Sequence, residues 1–176
     1  MKDNIIKPKG IYRDQLITAE GIRFDSGWCS NIIVNHCRDL LAAFMKGDGA
    51  MGIQHIAIGQ GNVNWDSTPP GKPAAGTSVL EDVTPFEVNV SSPDLTLEYL
   101  NTSNEIVIEP TNRIQVTVNF DTGSPPIELG EETYPLREFG LFGRIGPDSY
   151  MIDYVRHPVI HKGPDDTLVR RIRLVF

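Results

Sequence analysis

The chain has 176 residues, enough for one domain with a substantial core and no need of metal or disulfide staples. Apolar residues make up 40% and charged residues 22%, which excludes a disordered chain. A net charge of −7 argues against a general binder of nucleic acid or anionic membrane.

Sixteen glycines and thirteen prolines predict many turns and a β-rich fold. The two cysteines, Cys29 and Cys37, are too few for a disulfide framework. The opening MKDNIIKPKG has no apolar core of a secretion signal, and no run reaches the length of a membrane span. The expectation is therefore synthesis in a cytoplasm, with no membrane insertion and no nucleic-acid partner.

Residues 1–27 mix polar and apolar side chains and contain Pro8 and Gly10. They predict an extended N-terminal arm, with a hairpin formed by QLIT and IRF around Ala19-Glu20-Gly21. Residues 28–176 then form a single β-rich domain. Within it, SNIIVNHCRDLLAAFMK (30–46) predicts a helix: Ser30 suits the N-cap, and Ile33, Cys37, Leu40, Leu41 and Phe44 make one apolar stripe. Lys46 suits the last turn and Gly47 the stop. Both cysteines fall in or beside this helix, roughly 12 Å apart along its axis, so they are expected as separate reduced thiols.

GIQHIAIGQG follows as a buried strand that ends in two glycines. A phosphate-binding loop would need a helix directly after them, to supply N–H groups and a positive dipole end. Here Asn62-Val63-Asn64-Trp65-Asp66 and then Pro69-Pro70 follow instead, so the glycines are expected to serve a sharp turn or close packing. Residues 60–79 predict a long irregular loop, the kind that tends to carry function or an interface.

From residue 86 the pattern alternates with period two. FEVNV, LTLEY, EIVIE, RIQVTVNF, LREFGLFGRI, YMIDYVR and LVRRIRLVF each predict a strand. Leu95, Leu97 and Tyr99 share one face; Ile114, Val116, Val118 and Phe120 alternate with Arg113, Gln115, Thr117 and Asn119; and Ile106, Ile108, Leu168, Ile172, Leu174 and Phe176 are placed inward. Arg171 and Arg173 are placed outward. Closely spaced strands with turn signals between them imply an antiparallel β-sandwich or barrel with one amphipathic helix packed on it.

Chemistry-bearing groups do not converge in the sequence. His157-Pro-Val-Ile-His161 has helical metal-site spacing, but Pro158 forbids the helix interior, and on a strand the two rings stand roughly 13 Å apart. Adjacent carboxylates such as Glu81-Asp82, Glu131-Glu132 and Asp165-Asp166 point to opposite faces of a strand, so they form no acid–base pair. No metal, no cofactor and no catalytic residue is expected. A hydrolase built on scattered carboxylates is the least favoured reading.

Four segments in order carry a resemblance: SNIIVNHCRDLLAAFMKGD, GIQHIAIGQGNVNWD, LREFGLFGR and HPVIHKGPDDTLVRRIRLVF. The succession resembles small phage tail and tail-fibre-attachment proteins, which also occur in phage-tail-like contractile injection particles. EFGLF and IAIGQG are its most specific parts. Glu138, Phe139, Gly140, Leu141 and Phe142 match the signature strand, and Lys162 matches the closing lysine.

The resemblance implies a non-enzymatic structural component at a baseplate, tail end or fibre root. It would be made in a bacterial cytoplasm and assembled into a virion or extracellular particle. The implied partners are other tail or baseplate proteins and further copies of the chain in a homo-oligomeric ring of threefold or sixfold symmetry. Candidate interface residues are Ile5, Ile6, Ile11 and Tyr12 in the arm and Trp65 in the long loop. Phe139, Gly140 and Phe142 in the signature strand and Arg171 and Arg173 in the terminal strand complete the set. The alternative is a carbohydrate-binding β-sandwich at a receptor-binding tip, with Trp65, Tyr99, Tyr134 and Tyr150 as stacking faces.

Overall fold

The computed structural model describes residues 7–176. Ile5 and Ile6 lie outside them. β1 (Lys9–Thr18) turns at Ala19-Glu20 into β2 (Gly21–Asp25). Two short strands, β3 (Cys29–Ser30) and β4 (Ile32–Ile33), lead into the helix α1 (Asn35–Lys46). Next come β5 (Ala50–Gly59), a 3-10 turn (Val63–Asp66), β6 (Phe86–Asn89), β7 (Leu95–Leu100) and β8 (Ile106–Val107). The long strands β9 (Arg113–Phe120), β10 (Tyr134–Ile145), β11 (Asp148–Lys162) and β12 (Thr167–Val175) complete the chain.

The strands form two antiparallel sheets. One runs β2-β1-β12-β9-β7-β8, with β3 also on β1; the other runs β4-β11-β10-β5-β6. Their inner faces enclose a core that includes Leu16, Ile56, Val116, Phe120, Phe139 and Leu168. Alternation along each strand supplies it, since every second side chain points between the sheets.

The segment Cys29–Ile33 stitches one side of the sandwich. β3 pairs with β1 in one sheet and β4 with β11 in the other. Asn31 sits between them. Its N–H donates to Gly10 O at 3.2 Å, and its Nδ2 donates to the Asp153 carboxylate at 2.5 Å. A Cβ at Gly10 would come within 2.2 Å of the Asn31 side chain, so glycine is what admits this close approach.

Four sequence expectations are corrected. The helix begins at Asn35 rather than at residue 30, with Val34 as an N-cap that makes no side-chain bond. Ile32-Ile33 prefer strand, and they find a partner in β11. Ser30 and Cys29 therefore lie in β3. The expected arm is, from Lys9 onward, an integral strand: β1 lies between β2 and β12 and buries Tyr12, Asp14 and Leu16. The inward assignments of Ile106 and Ile108 also fail. β8 is two residues long at the edge of its sheet, and Ile108 is 93% exposed. Finally, the apolar stripe of α1 is only partly covered. Cys37 and Leu40 are buried, whereas Phe44 is 65% exposed, and the helix packs on β11, β5 and β10.

Candidate functional site

The signature strand is a loop anchor. Arg137 makes two bonds of 2.7 Å to the carboxylate of Asp66 and a third of 2.8 Å to Gln60 O. This ion pair holds the carboxyl of Asp66 below its ordinary value. Glu138 is fully buried and accepts from Glu81 N–H at 3.0 Å, Asp82 N–H at 2.7 Å and the Tyr154 hydroxyl. A buried carboxylate is tolerated when donors surround it in this way. Burial and the neighbouring Glu138 push the Tyr154 hydroxyl upward in turn.

Both ends of the long loop are thus tied to β10, and Leu80 packs over the outer cluster of Val34, Ala57, Phe142, Met151 and Tyr154. Gly59 and Gly61 belong to the same device. A Cβ at Gly59 would meet Glu138 Oε1 at 2.7 Å; Gly61 has φ +56° and lies against the Trp65 ring. Gln60 N–H donates to Asp82 at 2.8 Å. The two glycines serve close packing and a left-handed turn.

Trp65, half-buried, also faces Arg156, whose guanidinium carbon stands 5.1 Å from the ring centre. Beside this loop lies a hollow of about 530 Å³ walled by Glu81, Glu128, Glu131, Thr133 and Tyr134. Arg137 is paired with Asp66 and Glu81 stands 3.7 Å from Arg156, so the acidic charge of the hollow comes from Glu128 and Glu131. Burial, with Asp82, Glu128 and Glu138 nearby, raises the Tyr134 hydroxyl to about 12.

A second surface is basic. On the outer surface of the β2-β1-β12-β9 sheet, Arg13 is in register with Arg171, and Ile11 with Arg173. Arg13 holds Asp25 through bonds of 2.9 and 2.5 Å, which keeps the carboxyl of Asp25 far below its ordinary value. Arg171 donates to Gln15 Oε1 at 2.7 Å and Arg173 to Gln115 Oε1 at 2.9 Å. The Arg173 guanidinium lies 4.1 Å over the exposed ring of Trp28. Partial burial, then repulsion from Arg171 and Arg13, lowers the Arg173 value. Arg113 and Glu98 flank this row on β9 and β7, so guanidinium groups outnumber carboxylates across the face.

Other expected interface residues lie inside the molecule. Tyr12 packs edge-on against Phe139 at 5.3 Å, Gly140 is buried where an added Cβ would meet Asp153 O at 3.1 Å, and Phe142 stacks on His55 at 4.8 Å. The strand is central in its sheet, with its outer face covered by the chain's own loop, so these four residues are corrected to core. Ile11, Arg171 and Arg173 reach the surface. The four stacking aromatics do not share a face: Tyr134 is buried, Tyr150 lies against His36, Tyr99 is on β7 and Trp65 in the long loop. His157 is buried in the core, while His161 is exposed and bonds Thr133 at 3.1 Å.

A buried charged cluster was not anticipated. Arg170 and Asp14 are both sealed between the sheets, and the Arg170 guanidinium also meets His157 Nε2 at 3.0 Å and stacks 3.9 Å over Phe139. Burial, then the Arg170 charge, lowers His157 to about 4. Asp153, raised to about 7 by burial, completes the polar interior. The signal was present: Arg170 has the inward parity of Leu168 and Ile172, and Asp14 that of Tyr12 and Leu16. Among the described residues, no group of three or more His, Cys, Asp or Glu side chains is placed to hold a metal ion.

No family model matches the chain. Searches of curated proteins and of solved structures likewise find no match.

Proposed function

We propose that the chain is a non-enzymatic assembly component of a phage tail or phage-tail-like contractile injection particle, acting through protein–protein contacts. The observation that carries this reading is the separation of charge between two faces. The basic face of Arg13, Arg171 and Arg173, with the exposed Trp28 under Arg173, lies on one sheet; the acidic hollow of Glu128 and Glu131 lies beside the long loop. Arginine and tryptophan are the side chains that most often anchor interfaces.

Surfaces of opposite sign on one molecule favour head-to-tail contact between copies, and such contacts close into rings when the rotation permits. A threefold or sixfold ring joined to other tail proteins is the arrangement proposed. The succession IAIGQG … EFGLF supports the tail assignment as a resemblance, and its residues serve here to fasten the long loop to the sheet.

The test is to raise an antibody to the chain and label particles released from cells that encode it. Labelling at a fixed position on tail-like particles is expected. Particles free of the chain, with all of it left in the soluble cell fraction, would overturn the reading.

A further inference from the structure

An apolar cleft of about 630 Å³ opens between α1, the start of β5 and the outer part of β7. Leu41 and Phe44 of α1, Met51 of β5, and Leu97 and Tyr99 of β7 line it, and all five are exposed. A contiguous surface of this kind is unfavourable in water.

The backbone beside the cleft also lacks partners. β9 pairs with one edge of β7 from Leu95 to Tyr99, but β8 meets the other edge only at Tyr99 and Leu100. Asn119 N–H donates to Asp94 O at 2.9 Å, so Asp94, Thr96 and Glu98 turn their backbone groups toward β9. Leu97 turns its N–H and C=O the other way, where among the described residues no strand pairs with it. On the facing sheet, β6 pairs with β5 over His55–Ile58 and leaves Ala50–Ile53 without a second neighbouring strand among the described residues. An open edge is a template for one more strand.

We propose that this edge of β7 takes an extended segment of a partner protein by strand addition, with alternate apolar side chains of that segment filling the cleft. Three features define the occupant. Unpaired N–H and C=O groups need an extended backbone, which a helix or a small apolar molecule does not supply. Leu95, Leu97 and Tyr99 lie opposite Val118, Val116 and Ile114 on the inner face. A residue set beside Leu97 therefore points into the cleft, and so do the positions two before and two after it. Charge is the third feature. Glu98 is the one charged residue at the cleft, sits on the other face of β7 from Leu97, and forms no ion pair among the described residues. The added strand carries Lys or Arg at the outward position next to it. This inference does not depend on whether the chain assembles with copies of itself.

The probe is a short synthetic peptide in which valine alternates with threonine and one lysine takes a threonine position. Its binding to the full chain is followed by fluorescence anisotropy, and exchange of the Leu97 amide by NMR. Saturable binding is expected, with exchange at Leu97 slowed many-fold, and a form N-methylated along its pairing edge should bind many-fold more weakly. Glu98→Lys, a change at the surface, should weaken binding of the lysine peptide several-fold and strengthen that of its glutamate counterpart. Absence of binding at millimolar peptide, equal binding of the N-methylated form, or an unchanged preference in the Glu98→Lys variant would overturn the proposal. So would a Leu97 amide already slow in the full chain alone. At monomer mass that result would assign the edge to the chain itself, and at a multiple of it to a second copy.

Discussion

Asp14 and Arg170 stand directly opposite each other on β1 and β12, joined by hydrogen bonds of 2.6 and 2.9 Å, and neither side chain is exposed to water. Two full charges thus lie in the middle of an apolar core, close to His157 and over the ring of Phe139. Removing one partner strands the other. Asp14→Ala is expected to destabilise the protein by about 3–5 kcal/mol, whereas the paired replacement Asp14→Leu/Arg170→Met should lose much less. Urea unfolding of the two variants measures the difference. Equal losses in both would show that the pair is not coupled.

The buried pair also explains where sequence reading stopped. Alternation identifies the β-rich, two-sheet architecture and many inward positions, as Val116, Val118 and Phe120 show on β9. Arg170 and Asp14 share that inward parity, but a charged residue at an inward position looks like a break in the pattern until its partner is known. That partner is 156 residues away in sequence. The start of α1 is hidden in the sequence for a related reason: Ile32-Ile33 fit a strand as well as a helix, and only the pairing with β11 decides between them.

Loop anchoring by Glu138 gives a second prediction. Glu138→Ala leaves the Glu81 and Asp82 amides and the Tyr154 hydroxyl without their acceptor. The expected loss is about 2–4 kcal/mol, larger than for an ordinary surface change. Limited proteolysis should then cut within residues 67–79 at least ten times faster than in the parent chain. An unchanged cleavage rate would mean that Arg137 and Leu80 hold the loop without Glu138.

Opposite pH dependences are predicted for two buried groups, Asp153 and His157. Burial raises Asp153 to about 7, so between about pH 4 and 7 the folded protein keeps a proton that the unfolded chain has lost. Stability from this group is fully present below about pH 4 and is lost as pH rises to about 7. His157, lowered to about 4, behaves in reverse: its contribution is present above about pH 6.5 and is lost as pH falls to about 4. An Asp153→Asn variant should therefore gain stability relative to the parent as pH rises from 4 to 7, with no further gain above. Denaturant unfolding across pH 4–8 reads this directly, and a difference independent of pH would contradict the assignment.

Gly143 supplies a backbone prediction. A Cβ there would meet Leu40 Cδ2 at 2.5 Å and the carbonyls of Met51 and Gly52 at 2.9 Å. Two of these neighbours are backbone and cannot swing away. Gly143→Ala should cost about 1–3 kcal/mol through displaced β5 and α1, seen as a fall of several degrees in thermal midpoint. Gly71→Ala, where a Cβ meets open space, should leave the midpoint nearly unchanged and serves as the control.

The central claim is that the arginine face of one copy meets the acidic hollow of the next. Light scattering of the purified full chain over a range of concentrations, at low and high salt, tests it most directly. The account predicts a mass of three or six times the monomer at low salt, falling toward the monomer at high salt and in an Arg171→Glu/Arg173→Glu variant that remains folded. A monomer at every concentration and salt, or an oligomer untouched by the charge reversal, would contradict it.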